Sequence, residues 1–356
     1  MSFCDGSISV GEIANLIREG FNDTIEYCAD LVDKGILCML SQKAETKWPL
    51  WQKHLLPINV TLDITQHCNM KCPHCYNNGS DKESPDILSK KEVLALLKDL
   101  KHAGVKTINF AGGEPLLHPE LFDFIIKAKQ QGFVVGVSTN GLLLSEALVD
   151  KLNDTGLDNM QISVDYPDNR HDVFRGKKGL FDNIIRSIKE IKRTNMKILV
   201  STTIMSENIH HIHDINKLIA KLGVDYHLLN RFIPIQRGRK LDQDIDTKEL
   251  IECISTLAAD LDTPIISCDP IITGCIHCGA CSTSFAVTAN GKIKPCVNFD
   301  KEVDSIRYNN VRDIWDKSPL FIRIREEQIR SLFKIEVFNC PSYTLAKSGE
   351  LPLWMT

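Results

Sequence analysis

Six of the thirteen cysteines fall in two short groups, Cys68-x3-Cys72-x2-Cys75 and Cys275-x2-Cys278-x2-Cys281, and none lies between Cys75 and Cys253. An odd number of thiols in so long a chain is a poor disulfide framework. In a reducing compartment, clustered thiols are metal ligands. Spacings of three and two residues bring three thiolates together in one loop. Three is the informative number. A four-iron cluster held by three cysteines leaves one iron open to a cofactor or substrate, whereas electron carriers usually fill all four positions. A zinc ion completed by His67 or His74 is the alternative chemistry.

Such a loop needs a frame, and the residues from 58 to 262 supply one. Strand patterns at Ile58–Thr65, Thr107–Ala111, Val134–Ser138, Met160–Asp165, Ile198–Ile204 and Tyr226–Phe232 alternate with helical periodicity. The clearest helices are Lys90–His102, with Ser89 and Glu92 as a capping box, then Glu120–Gln131 and Phe181–Arg193. Six strand–helix units predict an α/β fold with a parallel sheet, two units short of a closed eight-stranded barrel. The expected form is a partial (β/α)6 TIM barrel with reactive groups at the C-terminal ends of its strands. The first cysteine group directly follows the first strand.

In that position, Cys-x3-Cys-x2-Cys followed by the aromatic Tyr76 resembles the signature of the radical S-adenosylmethionine (SAM) superfamily. The resemblance extends over roughly residues 58 to 240. Ala111-Gly112-Gly113-Glu114-Pro115 ends the second strand, where the family has a glycine-glycine-glutamate motif that meets the ammonium group of SAM. Glycines there admit a close backbone approach. Ser138-Thr139-Asn140-Gly141 and Ile162-Ser163-Val164-Asp165 follow at the third and fourth strands. Asn208 and the stretch from Arg231 to Arg239 match later landmarks, with Gln236 where relatives often have glycine. The resemblance implies a [4Fe-4S] cluster on Cys68, Cys72 and Cys75, with SAM bound by Tyr76, Gly112, Gly113, Glu114, Ser138, Asn140, Ser163 and Arg231. It also implies reductive cleavage of SAM to a 5′-deoxyadenosyl radical, with an electron donor such as flavodoxin or ferredoxin as partner. Asp165 reads equally as a site residue or a loop cap. Asp168, His171 and Arg175 read as loop-shaping residues.

From residue 263 to 356 the strand–helix rhythm stops. A hairpin is expected over Phe285–Cys296, turning at Asn290-Gly291, before a helical stretch near Ile314–Leu332. Cys281-x9-Gly291-x4-Cys296 resembles the opening of the auxiliary-cluster extension called SPASM, in a shortened "twitch"-like form because only Cys340 follows. The resemblance implies one auxiliary [4Fe-4S] cluster on Cys275, Cys278, Cys281 and Cys296, with Cys340 or Cys268 able to replace one of them; structural zinc is again the alternative. Cys268 could also be a bystander, or a catalytic thiol that returns a hydrogen atom to a substrate radical. Cys4, Cys28, Cys38 and Cys253 read as buried apolar residues.

Residues 1–45 are expected to form a small helical unit, joined by a linker over 46–57. Cys4-Asp5-Gly6, Ser9–Ile13 and Asp33–Leu37 resemble the helical part of a RiPP recognition element, the winged-helix unit that grips leader peptides of ribosomally made, modified peptides. A helical pair that merely packs on the barrel is the plainer reading. The formal charge of −4 offers nothing to a nucleic-acid polyanion, and no apolar run is long enough to span a bilayer. With no signal-peptide pattern at the start, a cytoplasmic protein is expected. The expected substrate is a peptide or a small molecule. The leading expectation is hydrogen abstraction from a ribosomally made peptide, giving an epimer, a thioether or a carbon–carbon crosslink. Tetrapyrrole processing, as in haem biosynthesis, is the alternative enzyme. A non-catalytic iron–sulfur carrier or a peptide-binding module would have no use for Gly112-Gly113-Glu114.

Overall fold

The computed structural model describes residues 55–258, 263–267, 278–334 and 340–348, together with Glu26, Ala29 and Ile272. The N-terminal unit expected over 1–45, most of its linker, and both Cys268 and Cys275 lie outside the described residues.

Strands β1 (Asn59–Asp63), β2 (Thr107–Ala111), β3 (Val134–Thr139), β4 (Asn159–Ser163), β5 (Lys197–Ile204) and β6 (Tyr226–Arg231) run parallel in sequence order. Helices α1 (Lys90–Ala103), α2 (Leu121–Gln130), α3 (Glu146–Asp154), α4 (Arg170–Arg175), α5 (Leu180–Ile191), α6 (Ile212–Lys221) and α7 (Thr247–Ala258) lie among and beyond them. The capping box at Ser89 is formed, and Gly104 ends α1 in the left-handed conformation at φ 99°.

The two faces of the sheet differ in chemistry. Val60, Leu62, Ile108, Phe110, Val135, Val137, Met160, Ile162, Ile198 and Val200 form one face, all of them buried in the core. They share that core with Leu96 and Leu100 of α1, Phe124 of α2, Ile184 and Ile188 of α5 and Ile215 of α6. The alternate positions Thr61, Asn109, Ser138, Gln161, Ser163, Ser201, Thr203 and Asn230 are only half-buried. A packed barrel fills its interior with Val, Ile and Leu. This one lines its inner face mainly with hydroxyls and amides, joined by Leu199 and Leu228, and leaves it half-accessible.

The sheet extends beyond the six expected strands and stays open. β7 (Ile265–Ile266) pairs parallel with β6, and β8 (Ser284–Val287) pairs parallel with β1, so both edges of the six-stranded core are covered. β8 turns at Asn290-Gly291 into β9 (Lys292–Lys294) with Val287 opposite Ile293, which is the expected hairpin. A further strand, β10 (Asp304–Ser305), pairs with β9. The C-terminal helical stretch is two helices, α8 (Val311–Lys317) and α9 (Pro319–Lys334), followed by α10 (Pro341–Ser348). Pro319 explains the break: its ring disfavours helical backbone at Ser318, and it is well suited to the first turn of a new helix. Among the described residues, no helix is long and apolar enough to cross a membrane.

Candidate active site

The loop carrying Cys68, Cys72 and Cys75 springs from the C-terminal end of β1 and is seated by backbone contacts on the β2 tip. Ile64 N donates to Ala111 O at 3.0 Å, Gly113 N to Thr65 O at 2.8 Å, and Glu114 N to His67 O at 2.8 Å. This docking needs the two glycines. A Cβ on Gly112 would stand 2.3 Å from Thr65 O, and one on Gly113 would stand 2.3 Å from His67 O. Gly112 also holds φ at 133°, outside the range of ordinary side chains. The close approach argued from the sequence is thus already made by the cysteine loop's own main chain. From the far side Arg237 clasps the same loop, donating to Cys72 O at 3.0 Å and Gly79 O at 2.6 Å.

Cys72 is buried, and Cys68 and Cys75 are half-buried. Burial pushes the Cys68 thiol up to about 11 and raises Cys72 as well, with Arg175 opposing the second shift. These sulfurs become thiolates only beside positive charge, which a bound metal centre supplies. Three cysteines on one short loop supply three of the thiolates that a four-iron cluster needs and leave its fourth iron open. His74, one of the two histidines that could complete a zinc site here, is occupied elsewhere: it stacks on Phe174 and faces Asp165 and Arg175.

Glu114 is buried beside the loop. Its carboxylate accepts hydrogen bonds from Thr139 Oγ1 (2.8 Å), Asn140 N (2.8 Å) and Leu116 N (3.1 Å), all neutral donors, and burial raises it to about 7. Asn140 also donates through Nδ2 to Asn69 Oδ1 at 2.8 Å and approaches Cys68 Sγ at 3.9 Å. The buried Nδ2 of Asn69 has no acceptor among the described residues. A buried carboxylate whose hydrogen-bond donors are all neutral and a buried donor without a described acceptor, both beside the thiols, fit an amino acid group carrying an ammonium and a carboxylate. Ser138 and Ser163 stand on the inner face, and Ser138 Oγ accepts from Asn109 Nδ2 at 2.8 Å. Tyr76 is half-buried near Asp63, whose own carboxyl is raised by burial to about 7.

Arg231 lies elsewhere. It is on the helix-facing side of β6, donates to Ile245 O at 2.9 Å, and sits 4.0 Å from the Tyr343 ring. Its neighbours across a cavity are Cys278, Cys296, Cys340 and Ser342. Cys281 is buried nearby, and Cys296 Sγ lies 3.1 Å from Ser342 Oγ. Gln328 of α9 donates to Ala280 O at 2.8 Å and to Cys278 Sγ at 3.6 Å. The two sites meet through the segment after β6. Gln236 and Arg239 both hydrogen-bond Asp300, while Arg237 holds the first loop. Gln236 adopts φ 47°, a conformation that favours glycine.

Asn208 is fully buried and ties strand ends together, donating to Asp165 O at 3.1 Å and Thr203 O at 2.9 Å. Arg175 is more central than a loop-shaping role suggests. It contacts both Asp165 and Cys72. Sequence reasoning had only a weak cue for it, a charged residue just before Gly176. Asp63 carried a stronger one: a lone charge inside an apolar strand pattern.

A model of the radical SAM superfamily matches residues 62–219, and a model of the iron–sulfur cluster-binding SPASM domain matches residues 278–341. Fe-coproporphyrin III synthase of Methanosarcina barkeri is 30% identical over 66% of this chain and 57% of its own length. The sporulation killing factor maturation protein SkfB of Bacillus subtilis is 31% identical over 55% of this chain and 48% of its own. The chain thus spans little more than half of the first relative and about half of the second. Among solved structures, Streptococcus suis SuiB bound to the precursor peptide SuiA superposes with a TM-score of 0.69 at 16% identity, covering 92% of this chain and 87% of that one.

Proposed function

Given that the chain belongs to the radical SAM superfamily and carries a SPASM iron–sulfur domain, we propose that it modifies a ribosomally made peptide by hydrogen abstraction, yielding an epimer, a thioether or a carbon–carbon crosslink. When bound, the cluster and SAM supply the one-electron chemistry that generates a 5′-deoxyadenosyl radical. The chain's own residues do the rest. Cys68, Cys72 and Cys75 hold the cluster, Glu114 takes the ammonium group of SAM, and Asn140, Ser138 and Ser163 border the remainder. Cys278, Cys281, Cys296 and Cys340, around or beside one cavity, are the described candidates for an auxiliary cluster, with Cys275 a further ligand candidate. An external electron donor such as flavodoxin or ferredoxin is part of the same proposal.

The observation that carries the peptide reading is the chemistry of the inner face. Hydroxyls and amides at Thr61, Asn109, Ser138, Gln161, Ser201, Thr203 and Asn230 are half-accessible, and they suit the alternating donors and acceptors of a peptide main chain. SuiB, seen with a precursor peptide, and SkfB, a maturation protein, support it. A second reading, tetrapyrrole processing, is favoured by the similarity to Fe-coproporphyrin III synthase and by Arg231-x-x-Pro234-x-x-Arg237-Gly238.

The test is anaerobic reconstitution, reduction with dithionite, and assay of 5′-deoxyadenosine with either a short peptide encoded beside the gene or iron coproporphyrin III. The peptide should stimulate SAM cleavage and emerge short of two hydrogens, or carrying solvent deuterium at an α-carbon. Stimulation by the porphyrin alone would favour the second reading. With full clusters and no SAM cleavage at all, the enzyme assignment fails.

A further inference from the structure

A buried ion pair reaches from the tip of β4 to a cysteine of the first loop. Asp165, fully buried just beyond β4, receives Arg175 Nε and Nη2 on one carboxylate oxygen, each at 2.7 Å. Its other oxygen accepts from Thr203 N at 3.1 Å. Arg175 itself is only 8% exposed at the end of α4. It points Nη1 at Cys72 Sγ, 3.8 Å away, and Nη2 at His74 Nε2, 3.5 Å away. Two histidines, the half-buried His74 and the buried His171, each stand 4.0 Å from the same carboxylate. Burying a guanidinium is costly unless it is paired and hydrogen-bonded, and here the pair is aimed at a ligand sulfur. An exposed loop-shaping role would require none of this.

We propose that Arg175, held by Asp165, is a positioning residue that sets the reduction potential of the cluster on Cys68, Cys72 and Cys75. This rests on the reading of those cysteines as cluster ligands. Reduction makes the cluster one charge unit more negative. A fixed cation donating to a ligand sulfur stabilises that state and raises the potential, because charge and hydrogen bonds to the sulfurs are what tune such clusters. Asp165 places the guanidinium and offsets part of its field. The two residues therefore act on the cluster with opposite sign.

The experiment is a redox titration of the full chain, reconstituted anaerobically. It is followed by the electron paramagnetic resonance signal that changes when SAM is added, which separates this cluster from any auxiliary one. Arg175→Gln should lower the midpoint potential, Asp165→Asn should raise it, and Arg175→Lys should fall between wild type and Arg175→Gln. A structural role alone gives no such opposition. Shifts of the same sign, or an unmoved midpoint in Arg175→Gln with cluster content intact, would overturn the proposal. If Arg175→Gln fails to hold a cluster, Asp165→Asn decides: a raised midpoint supports the inference, and a lowered or unchanged one overturns it. Loss of the SAM-responsive signal in Cys72→Ala checks the ligand reading separately. If that signal survives, the ligand assignment fails, whatever the two charge variants do.

Discussion

At the scale of single residues, the site joins groups that are costly by themselves and compatible together. Glu114 carries a buried carboxylate whose three donors are all neutral, so it keeps the capacity to bind a cation. Replacing it with Gln preserves size and some hydrogen bonding but removes the charge. Hydrogen bonds to charged groups are worth about 1.5–3 kcal/mol, so Glu114→Gln should weaken SAM binding about 10- to 150-fold. Equilibrium binding of SAM to the reconstituted protein reads this directly, with iron content as the control. Unchanged affinity would remove Glu114 from the ammonium site. The identities of these residues were legible from motif order. The partners that decide what each can do were not, because Thr139 and Asn140 reach Glu114 from another strand end. Arg231 shows the same limit. Its motif suggested a SAM contact, but alternation along β6 turns it toward Tyr343 and the second cysteine group.

Among the elements, the important joint is between the cysteine loop and the β2 tip. It is a main-chain docking with no room for a methyl group, since both carbonyls that a Cβ would meet belong to a backbone held by its own hydrogen bonds. Gly113→Ala should therefore shift the loop bearing Cys68. Overpacking of this kind typically costs about 1–3 kcal/mol, or a fall in Tm of roughly 1–4 °C for a chain of this size. Thermal unfolding together with iron analysis checks it: a variant with wild-type Tm and full iron would show that the loop tolerates displacement. Strands β1 to β5 stood out in the sequence because mostly apolar buried rows alternate with largely polar inner rows, whereas β6 buries His227 and Arg231 beside Leu229. α8 and α9 read as one helix because their apolar periodicity runs across Ser318, and only the backbone constraint of Pro319 separates them.

For the whole molecule, the C-terminal extension acts as an edge cover as much as a cluster carrier. β8 lies on β1, β7 on β6, and Trp315 donates to Leu55 O at 2.8 Å, fastening α8 to the start of the barrel. Stability across this assembly also depends on a histidine remote from the chemistry. His227 is fully buried on β6 between Thr202 (2.9 Å) and Asn216 (3.2 Å), and burial lowers it to about 3. Its folded value lies below the unfolded one of about 6.5. The unfolded chain therefore binds the extra proton first, and stability is lost as pH falls below about 6.5, continuing toward the folded value. Between pH 7 and pH 5 the wild type should lose about 2 kcal/mol more than His227→Gln, measured by urea unfolding at each pH. Equal losses would show that this histidine is not held neutral.

The sequence alone determined the strand–helix alternation, the three-cysteine loop after the first strand, the glycine-glycine-glutamate motif and the hairpin at Asn290-Gly291. Each is written in local spacing, turn chemistry or periodicity, and these act over a few residues. Tertiary structure decided the rest. It placed β8 beside β1, separated by more than two hundred residues, and set Arg231 against the second cysteine group. It also showed that Gly112 and Gly113 admit the cysteine loop itself and brought Arg175 from α4 to Cys72. Those relations depend on which strand ends meet when a twisted sheet curls, and no local pattern in the chain carries that information.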